Sequence, residues 1–186
     1  EMNPAANASV LEFEFYLLAT MKFGMLIREA EREAKLADYG LSIGDSERIH
    51  HRVADLLADP STQFENLRSL IGPETSESGS LTFSSILWPE FDFTALSGNG
   101  RAINAAVYRR ARGQALGATS PTEQSPWSMD VTDFTHHFGP TTIGYHSDLF
   151  DETLPAHEGH DFNWNGRTYR AGFSWGLFLF ASLMWT

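Results

Sequence analysis

The sequence contains no cysteine among its 186 residues. That absence excludes disulfide-stapled scaffolds, zinc sites built on thiolates and cysteine nucleophiles. Long apolar runs are also missing, because the longest one without charge, Phe173 to Trp185, is much shorter than the roughly 20 residues of a membrane-spanning helix. The N-terminus lacks the basic, apolar and small-residue order of a signal peptide. We therefore expect neither a transmembrane segment nor a signal peptide.

Positive charge is scarce in this chain. It has 13 Lys+Arg against 24 Asp+Glu, for a formal net charge of −11 at pH 7. This balance argues against a protein that holds nucleic acid or anionic lipid by bulk electrostatics. With 42% hydrophobic and 20% charged residues, the composition is that of a folded globular protein. The length predicts a single domain over residues 1–186.

Residues 1–73 are predicted to be helical. Ser9 followed by Glu12 has the spacing of a capping box, which predicts the start of a first helix. Asp45 is expected to cap a second helix, and Thr62 to start a third with another capping box. These three predicted helices cover 9–38, 46–58 and 62–72.

Residues 81–186 are predicted to mix strands with one helix. Short aromatic and β-branched stretches at 81–88 and 91–96 indicate strands, whereas 101–116 is predicted to be helical. Asn165-Gly166 suits a two-residue hairpin turn between strands. The predicted fold class is α+β, with a helical N-terminal layer packed on a small, mostly antiparallel sheet formed by the C-terminal half.

Acidic residues and histidines concentrate in a stretch without any cation. Residues 113–166 contain no lysine or arginine, but hold five of the seven histidines and eight of the acidic residues. Carboxylates without cationic partners repel one another unless they are solvated or share a cation. Imidazoles beside carboxylates suit a zinc, manganese or iron site, and they also suit proton transfer. We therefore expect a functional site within 130–161.

Six residues of this stretch are the candidate site. One histidine is expected to act as general base or metal ligand, with neighbouring aspartates orienting it or sharing a divalent metal. His157 and His160 would share an ion on a helix, but Pro155 and Gly159 predict a loop there. The alternative is a set of solvated acidic loops with one or two structural histidines. The candidate catalytic residues are Asp133, His137 and Asp148, and the candidate metal ligands are His146, His157 and His160.

Two smaller features are further candidates for anion binding. The Gly98-Asn99-Gly100 turn precedes the predicted helix over 101–116, and the start of a helix attracts anions. Arg109, Arg110 and Arg112 form a small basic group in an acidic chain. They are either a solvated helix end or a contact for an anionic substrate or an acidic partner.

Two short motifs carry a resemblance to known proteins. The segment Asp133-Phe-Thr-His-His-Phe-Gly139, together with Trp175-Gly-Leu-Phe178, resembles bacterial effector domains. These are toxin modules delivered against competing bacteria. The resemblance implies an antibacterial enzyme that is secreted or delivered to a target cell, with a cognate immunity protein as its partner. It assigns no catalytic residue.

The sequence therefore predicts a small α+β toxin domain with hydrolase-type activity, whose cofactor would be a divalent metal if it needs one. The alternative is an acidic immunity or binding protein in the cytoplasm, which neutralises a basic partner through its negative charge. A third reading is a structural or adaptor domain without a site.

Overall fold

The computed structural model describes residues 4–21, 29–72, 76–146 and 156–184. The α+β prediction is confirmed, because helices dominate the N-terminal part and two antiparallel sheets follow. The helices are α1 (Pro4–Thr20), α2 (Glu29–Ala37), α3 (Ile43–Leu57), α4 (Gln63–Ile71) and α5 (Val131–Phe138), with a short 3-10 helix at Pro121–Glu123. The strands are β1 (Ser76–Glu77), β2 (Ser80–Ser84), β3 (Phe91–Leu96), β4 (Ala105–Arg110), β5 (Thr142–His146), β6 (His157–Trp164), β7 (Arg167–Ser174) and β8 (Leu177–Leu183).

The first helix is the centre of the helical layer. Phe13 and Leu17 on α1 are completely buried, and α3 and α4 pack against this helix. Ser9 lies inside α1, so the predicted start at that residue is wrong. The single helix predicted over 9–38 corresponds to α1 and α2, and residues 22–28 lie outside the described ranges. Within those ranges, no helix is both long and apolar enough to cross a bilayer.

The helix caps differ from two of the predictions. Ser42, rather than Asp45, is the N-cap of α3, and the two residues form a reciprocal capping box in which each side chain accepts from the other's backbone N–H. Thr62 precedes α4 as predicted but makes no capping hydrogen bond. Its backbone, with φ −125° and ψ 2°, is outside the extended region that lets a capping side chain reach back to the helix.

The first sheet has the order β1-β2-β3-β4 and is antiparallel throughout. The helix predicted over 101–116 is wrong, because β4 occupies its centre and pairs with β3 along its whole length. Ala106 and Tyr108 face the core and alternate with more exposed neighbours, so the pattern has period two. Pairing with β3 outweighs the helix propensity of the alanines and arginines. The Gly98–Gly100 turn therefore precedes a strand, so the helix start that the predicted anion site requires is not formed there.

The second sheet has the order β5-β6-β7-β8, and its central hairpin is the one that the sequence predicts. Asn165 and Gly166 connect β6 to β7 with φ angles of 48° and 76°. Two successive positive φ angles are those of a type I′ turn, whose twist matches that of the paired strands.

Each sheet covers its own hydrophobic core, and β8 contributes to both. The larger core lies among α1, α3, α4 and the inner face of the first sheet, and it includes Leu177 and Leu179. The smaller core lies between α5 and the second sheet, and it includes Phe173 and Phe178. Because successive residues of a strand point to opposite faces, β8 joins the two cores.

A buried carboxylate holds α1 to the first sheet. Glu14 is completely buried and accepts four hydrogen bonds. Its Oε1 accepts from the backbone N–H of Ile86 (2.7 Å) and of Leu87 (3.2 Å), whereas its Oε2 accepts from the hydroxyls of Ser85 (2.5 Å) and Tyr108 (2.6 Å). Burial raises the pKa of this carboxyl group, and the four hydrogen bonds lower it in part.

Replacement of Glu14 tests this network. Glu14→Leu leaves two backbone N–H groups buried without an acceptor, so we expect a loss of about 3 kcal/mol or more in the free energy of unfolding. Glu14→Gln should lose less than half as much, because its carbonyl can accept both N–H groups while the two hydroxyls rotate to accept from its amide. Urea denaturation measures both variants.

The matched control is Glu12→Gln, which removes only a surface ion pair with Arg52. We expect it to change the free energy of unfolding by less than about 1 kcal/mol. A Glu14→Leu variant as stable as this control would show that the four hydrogen bonds contribute nothing to the fold.

Candidate functional site

An open cleft of about 560 Å³ lies where the two sheets meet. The outward face of β4 forms one wall, the start of α5 a second wall, and strands β5 and β6 the third. The β7–β8 turn closes one end. The polar residues that line the cleft are Asn104, Arg109, Asp130, Thr132, His146, Glu158 and His160.

A hydrogen-bonded Glu–His pair lies on the β6 wall. Glu158 and His160 are two residues apart on the strand, so their side chains share one face. The Glu158 Oε2 and His160 Nε2 atoms are 2.8 Å apart, and the His160 Nδ1 atom is 2.9 Å from the Thr141 hydroxyl. With Glu158 ionised, Nε2–H donates to the carboxylate, and in the neutral ring Nδ1 then accepts from the hydroxyl.

Burial differs between the two members of this pair. The His160 ring is buried and lies edge-on to Phe173, with 4.9 Å between ring centroids. The Glu158 side chain is 38% exposed at the cleft. The imidazole is therefore held from three sides, by Glu158, Thr141 and Phe173, and it presents the carboxylate to the open space.

His146 reaches the same wall from the neighbouring strand. It lies directly opposite Glu158 in the pairing of β5 with β6, and Ile143 lies opposite His160. The register shifts at Gly144, so Ile143 and His146 both face the cleft although they are three residues apart. Side chains directly opposite each other in antiparallel strands are neighbours, with Cβ atoms about 5 Å apart.

His157 is on the other face of β6. The loop predicted at residues 157–160 is wrong, and on a strand an odd separation sends His157 and His160 to opposite sides. His157 is completely buried, and neither ring nitrogen has a hydrogen-bond partner among the described residues. The buried hydroxyl of Ser174, directly across the pairing with β7, also has none. Burial lowers the pKa of His157 to about 4, so the ring is neutral at pH 7.

The predicted catalytic residues Asp133 and His137 are not part of the cleft lining. Asp133 belongs to the capping box of α5 and accepts a hydrogen bond from Arg110 Nε at 2.9 Å, so it ties this helix to β4. His137 is exposed in the last turn of α5 and packs against the ring of Phe138. The third predicted residue, Asp148, lies outside the described residues.

The three predicted metal ligands do not share one site, although His146 and His160 line the same wall of the cleft. In the described part of the chain, no three His, Asp or Glu side chains are placed to hold a metal ion. His157 is separated from the other two histidines by the strand itself. Both ring nitrogens of His160 already make hydrogen bonds, so an ion at this histidine would have to displace Glu158 or Thr141.

A strained turn forms the closed end of the cleft. Trp175, with φ 53°, and Gly176, with φ 82°, connect β7 to β8, and a tryptophan rarely adopts a positive φ. The Trp175 carbonyl accepts from the Tyr108 N–H at 2.8 Å, and its indole N–H donates to Thr20 at 3.0 Å. A Cβ on Gly176 would lie 2.5 Å from the Val107 side chain. These contacts fix the turn against β4.

The sequence did not reveal Glu158 as a site residue. The only sequence feature that could have indicated it is the spacing of two residues between Glu158 and His160. This spacing places two side chains on one face only in a strand, whereas the sequence predicted a loop there. The predicted basic group is also divided by the structure. Arg110 is paired with Glu90 and Asp133, and Arg112 with Asp92, so only Arg109 of the three faces the cleft without an ion pair among the described residues.

Comparison of the chain with protein-family models, with curated proteins and with solved structures gives no match. The resemblance to bacterial effector domains therefore stays an expectation from two short motifs.

The buried neutral state of His157 predicts an acid-sensitive fold. The folded protein resists protonation of this ring down to about pH 4, whereas the unfolded chain takes up the proton below about pH 6.5. Protons therefore favour the unfolded chain, and we expect His157 to remove up to about 3 kcal/mol of stability as pH falls through this window. His157→Leu should lose this contribution and keep near-normal stability at pH 7.

Urea denaturation of the wild type and of His157→Leu at pH 7, 6 and 5 measures the difference. His136→Gln, which alters an exposed histidine of α5, is the control and should follow the wild-type curve. Parallel curves for the wild type and His157→Leu would contradict the assignment of a neutral, unpartnered ring.

Proposed function

We propose that the protein is a hydrolase in which Glu158 acts as general base on water bound in the cleft. The hydrogen-bonded Glu158–His160 pair on the cleft wall is the observation that carries this proposal. A carboxylate acts as general base on water when it reaches the open space, and it acts more efficiently when it is held in position. Glu158 has both properties, since His160 binds Oε2 and Oε1 makes no hydrogen bond within the described residues.

His160 and His146 take different parts in this proposal. His160 donates from Nε2 to the carboxylate, so it orients Glu158 and fixes the direction of the remaining oxygen. His146 lies opposite Glu158 and is exposed, and imidazole is the side chain best suited to exchange a proton near neutral pH. We assign it the role of general acid toward the leaving group.

Water, rather than a side-chain hydroxyl, is the proposed nucleophile. Thr141, His160 and Glu158 form a chain of hydrogen bonds from hydroxyl to imidazole to carboxylate. This chain resembles the arrangement in serine hydrolases. However, Thr141 is not among the residues that line the cleft. It therefore serves to hold the ring.

The first experiment measures hydrolysis of chromogenic esters, amides, phosphodiesters and glycosides by the purified protein. On any substrate that is cleaved, Glu158→Gln should lower kcat by about 100-fold or more, because it removes the base and keeps the shape. His160→Gln should lower kcat less, since the amide can still donate to Glu158.

Glu123→Gln and His136→Gln, which alter exposed residues away from the cleft, are the matched controls and should retain full activity. Circular dichroism and thermal unfolding confirm that each variant is folded. Full activity of Glu158→Gln, or no hydrolysis of any of the four substrate classes by the wild type, would contradict the proposal.

The biological role that we propose for this activity is that of an antibacterial toxin module. The support is the resemblance carried by the Asp133–Gly139 segment and the Trp175–Phe178 segment. Induced expression in the bacterial cytoplasm, or with an added export signal in the periplasm, should arrest growth in one of the two compartments. Glu158→Gln should relieve that arrest at equal protein level.

An acidic binding protein is the second candidate. It is favoured by β5, an edge strand whose five residues are all exposed and which pairs only with β6 among the described strands. Its exposed Ile143 and Tyr145 and the net charge of −11 suit addition of a strand from a basic partner. Harmless expression in both compartments would contradict the toxin role and favour this candidate.

A further inference from the structure

Arg109 lies in the wall of the cleft without an ion pair among the described residues. It is exposed on β4, and it makes no ion pair or side-chain hydrogen bond within the described residues. Its direct neighbour across the pairing with β3 is Asp92, but that carboxylate is bound by Arg112 at 2.7 Å. Arg101 also has no ion pair among the described residues, but of these two arginines only Arg109 lines the cleft.

The carboxylates that line the cleft are already engaged. Asp130 accepts from the Asp133 N–H through Oδ1 and from the Arg110 N–H through Oδ2, both at 2.7 Å. Glu158 is bound to His160. Among the described residues that line the cleft, Arg109 is the only lysine or arginine, and no acidic side chain of the cleft forms an ion pair with it.

The start of α5 adds two backbone donors to the same space. Val131 and Thr132, the first two residues of this helix, line the cleft. The first N–H groups of a helix have no carbonyl partner within it. The Asp130 carboxylate caps the Asp133 N–H and opposes the helix dipole, so the N–H groups of Val131 and Thr132 can donate to an anion while Arg109 supplies the positive charge.

We infer that the cleft binds an anionic substrate, an inference that rests on the hydrolase function proposed above. Arg109 holds the carboxylate or phosphate group of this substrate beside the bond that is cleaved. A guanidinium offers two parallel N–H donors that match the oxygens of either group. The attraction between this guanidinium and an anion is stronger in the cleft than in bulk water, because the protein walls replace part of the solvent. Because the protein as a whole repels anions, recognition must come from this local contact.

The reaction on such a substrate balances as a simple hydrolysis. Glu158 takes one proton from water, and the water oxygen forms a bond to the acyl carbon or phosphorus. The bond to the leaving oxygen breaks, and that oxygen receives a proton from His146. Proton transfer from Glu158 to His146 through water restores the starting state, so the products are an acid and an alcohol.

The test compares three chromogenic substrates, which are p-nitrophenyl acetate, mono-p-nitrophenyl succinate and bis-p-nitrophenyl phosphate. The first is neutral, the second carries a carboxylate, and the third is a phosphate anion. We expect Arg109→Gln to lower kcat/KM for at least one of the anionic substrates by about 10- to 100-fold relative to the neutral ester. The substrate that is affected distinguishes a carboxylate from a phosphate.

Arg101→Gln is the matched control, because Arg101 is also exposed and unpaired among the described residues but does not line the cleft. It should leave all three values unchanged, and Arg109→Lys should restore part of the loss. Equal effects of Arg109→Gln on the neutral and anionic substrates would overturn the inference.

A binding measurement separates this inference from the hydrolase itself. Titration with inorganic phosphate and with succinate, followed by NMR, should shift the backbone amide signals of Val131 and Thr132. These shifts should persist in Glu158→Gln and disappear in Arg109→Gln. Their absence in the wild type would overturn the anion site whatever Glu158 does. Full activity of Glu158→Gln together with intact NMR shifts would overturn the proposed role of Glu158 in hydrolysis and would support the anion site at Arg109.

Discussion

The buried carboxylate of Glu14 is the constraint on which the rest of the structure depends. A charged or polar group in the core is tolerated only when its hydrogen bonds are satisfied, and Glu14 is satisfied by four donors from two separate parts of the first sheet. α1 can therefore pack in only one register against the β2–β3 connection and Tyr108 of β4. Six residues later, Thr20 accepts from the indole of Trp175, which brings the second sheet to the same helix.

The cleft is a consequence of how the two sheets are joined. The β7–β8 turn meets β4 through the Tyr108–Trp175 hydrogen bond, and Arg110 connects β4 to the start of α5. Between these two joints the outward face of β4 lines the cleft, and the paired strands β5 and β6 stand opposite to it. Residues that are remote in sequence, such as Arg109 and Glu158, therefore line one space. Buried contacts hold the walls in place. The polar groups that face the cleft include Glu158, which is partly exposed, and Arg109, which forms no ion pair with any described residue.

Sequence patterns predicted those parts of the fold that depend on local chemistry. The helical character of the first 72 residues, the Asn165-Gly166 turn and the α+β class follow from apolar periodicity and turn residues, which act over a few neighbours, whereas α5 was not predicted. β4 was predicted as a helix because its alanines and arginines favour one, and only pairing with β3 shows that it is a strand. The candidate site shows the same limit. His146 and His160 were predicted as site residues, and both line the cleft. The place of Glu158 in the cleft and that of His157 on the opposite face of β6 could not be predicted, because the sequence did not show that these residues form a strand.

The sequence by itself determined the chemistry that is available: no thiol, an excess of negative charge, and histidines among carboxylates without a nearby cation in sequence. Only the tertiary structure decided which of these groups meet. Alternation along β6 sends His157 into the core and His160 to the cleft, and the register shift at Gly144 turns His146 to the same wall. These assignments depend on strand pairing over long sequence separations. A residue's neighbours in the chain do not specify that pairing.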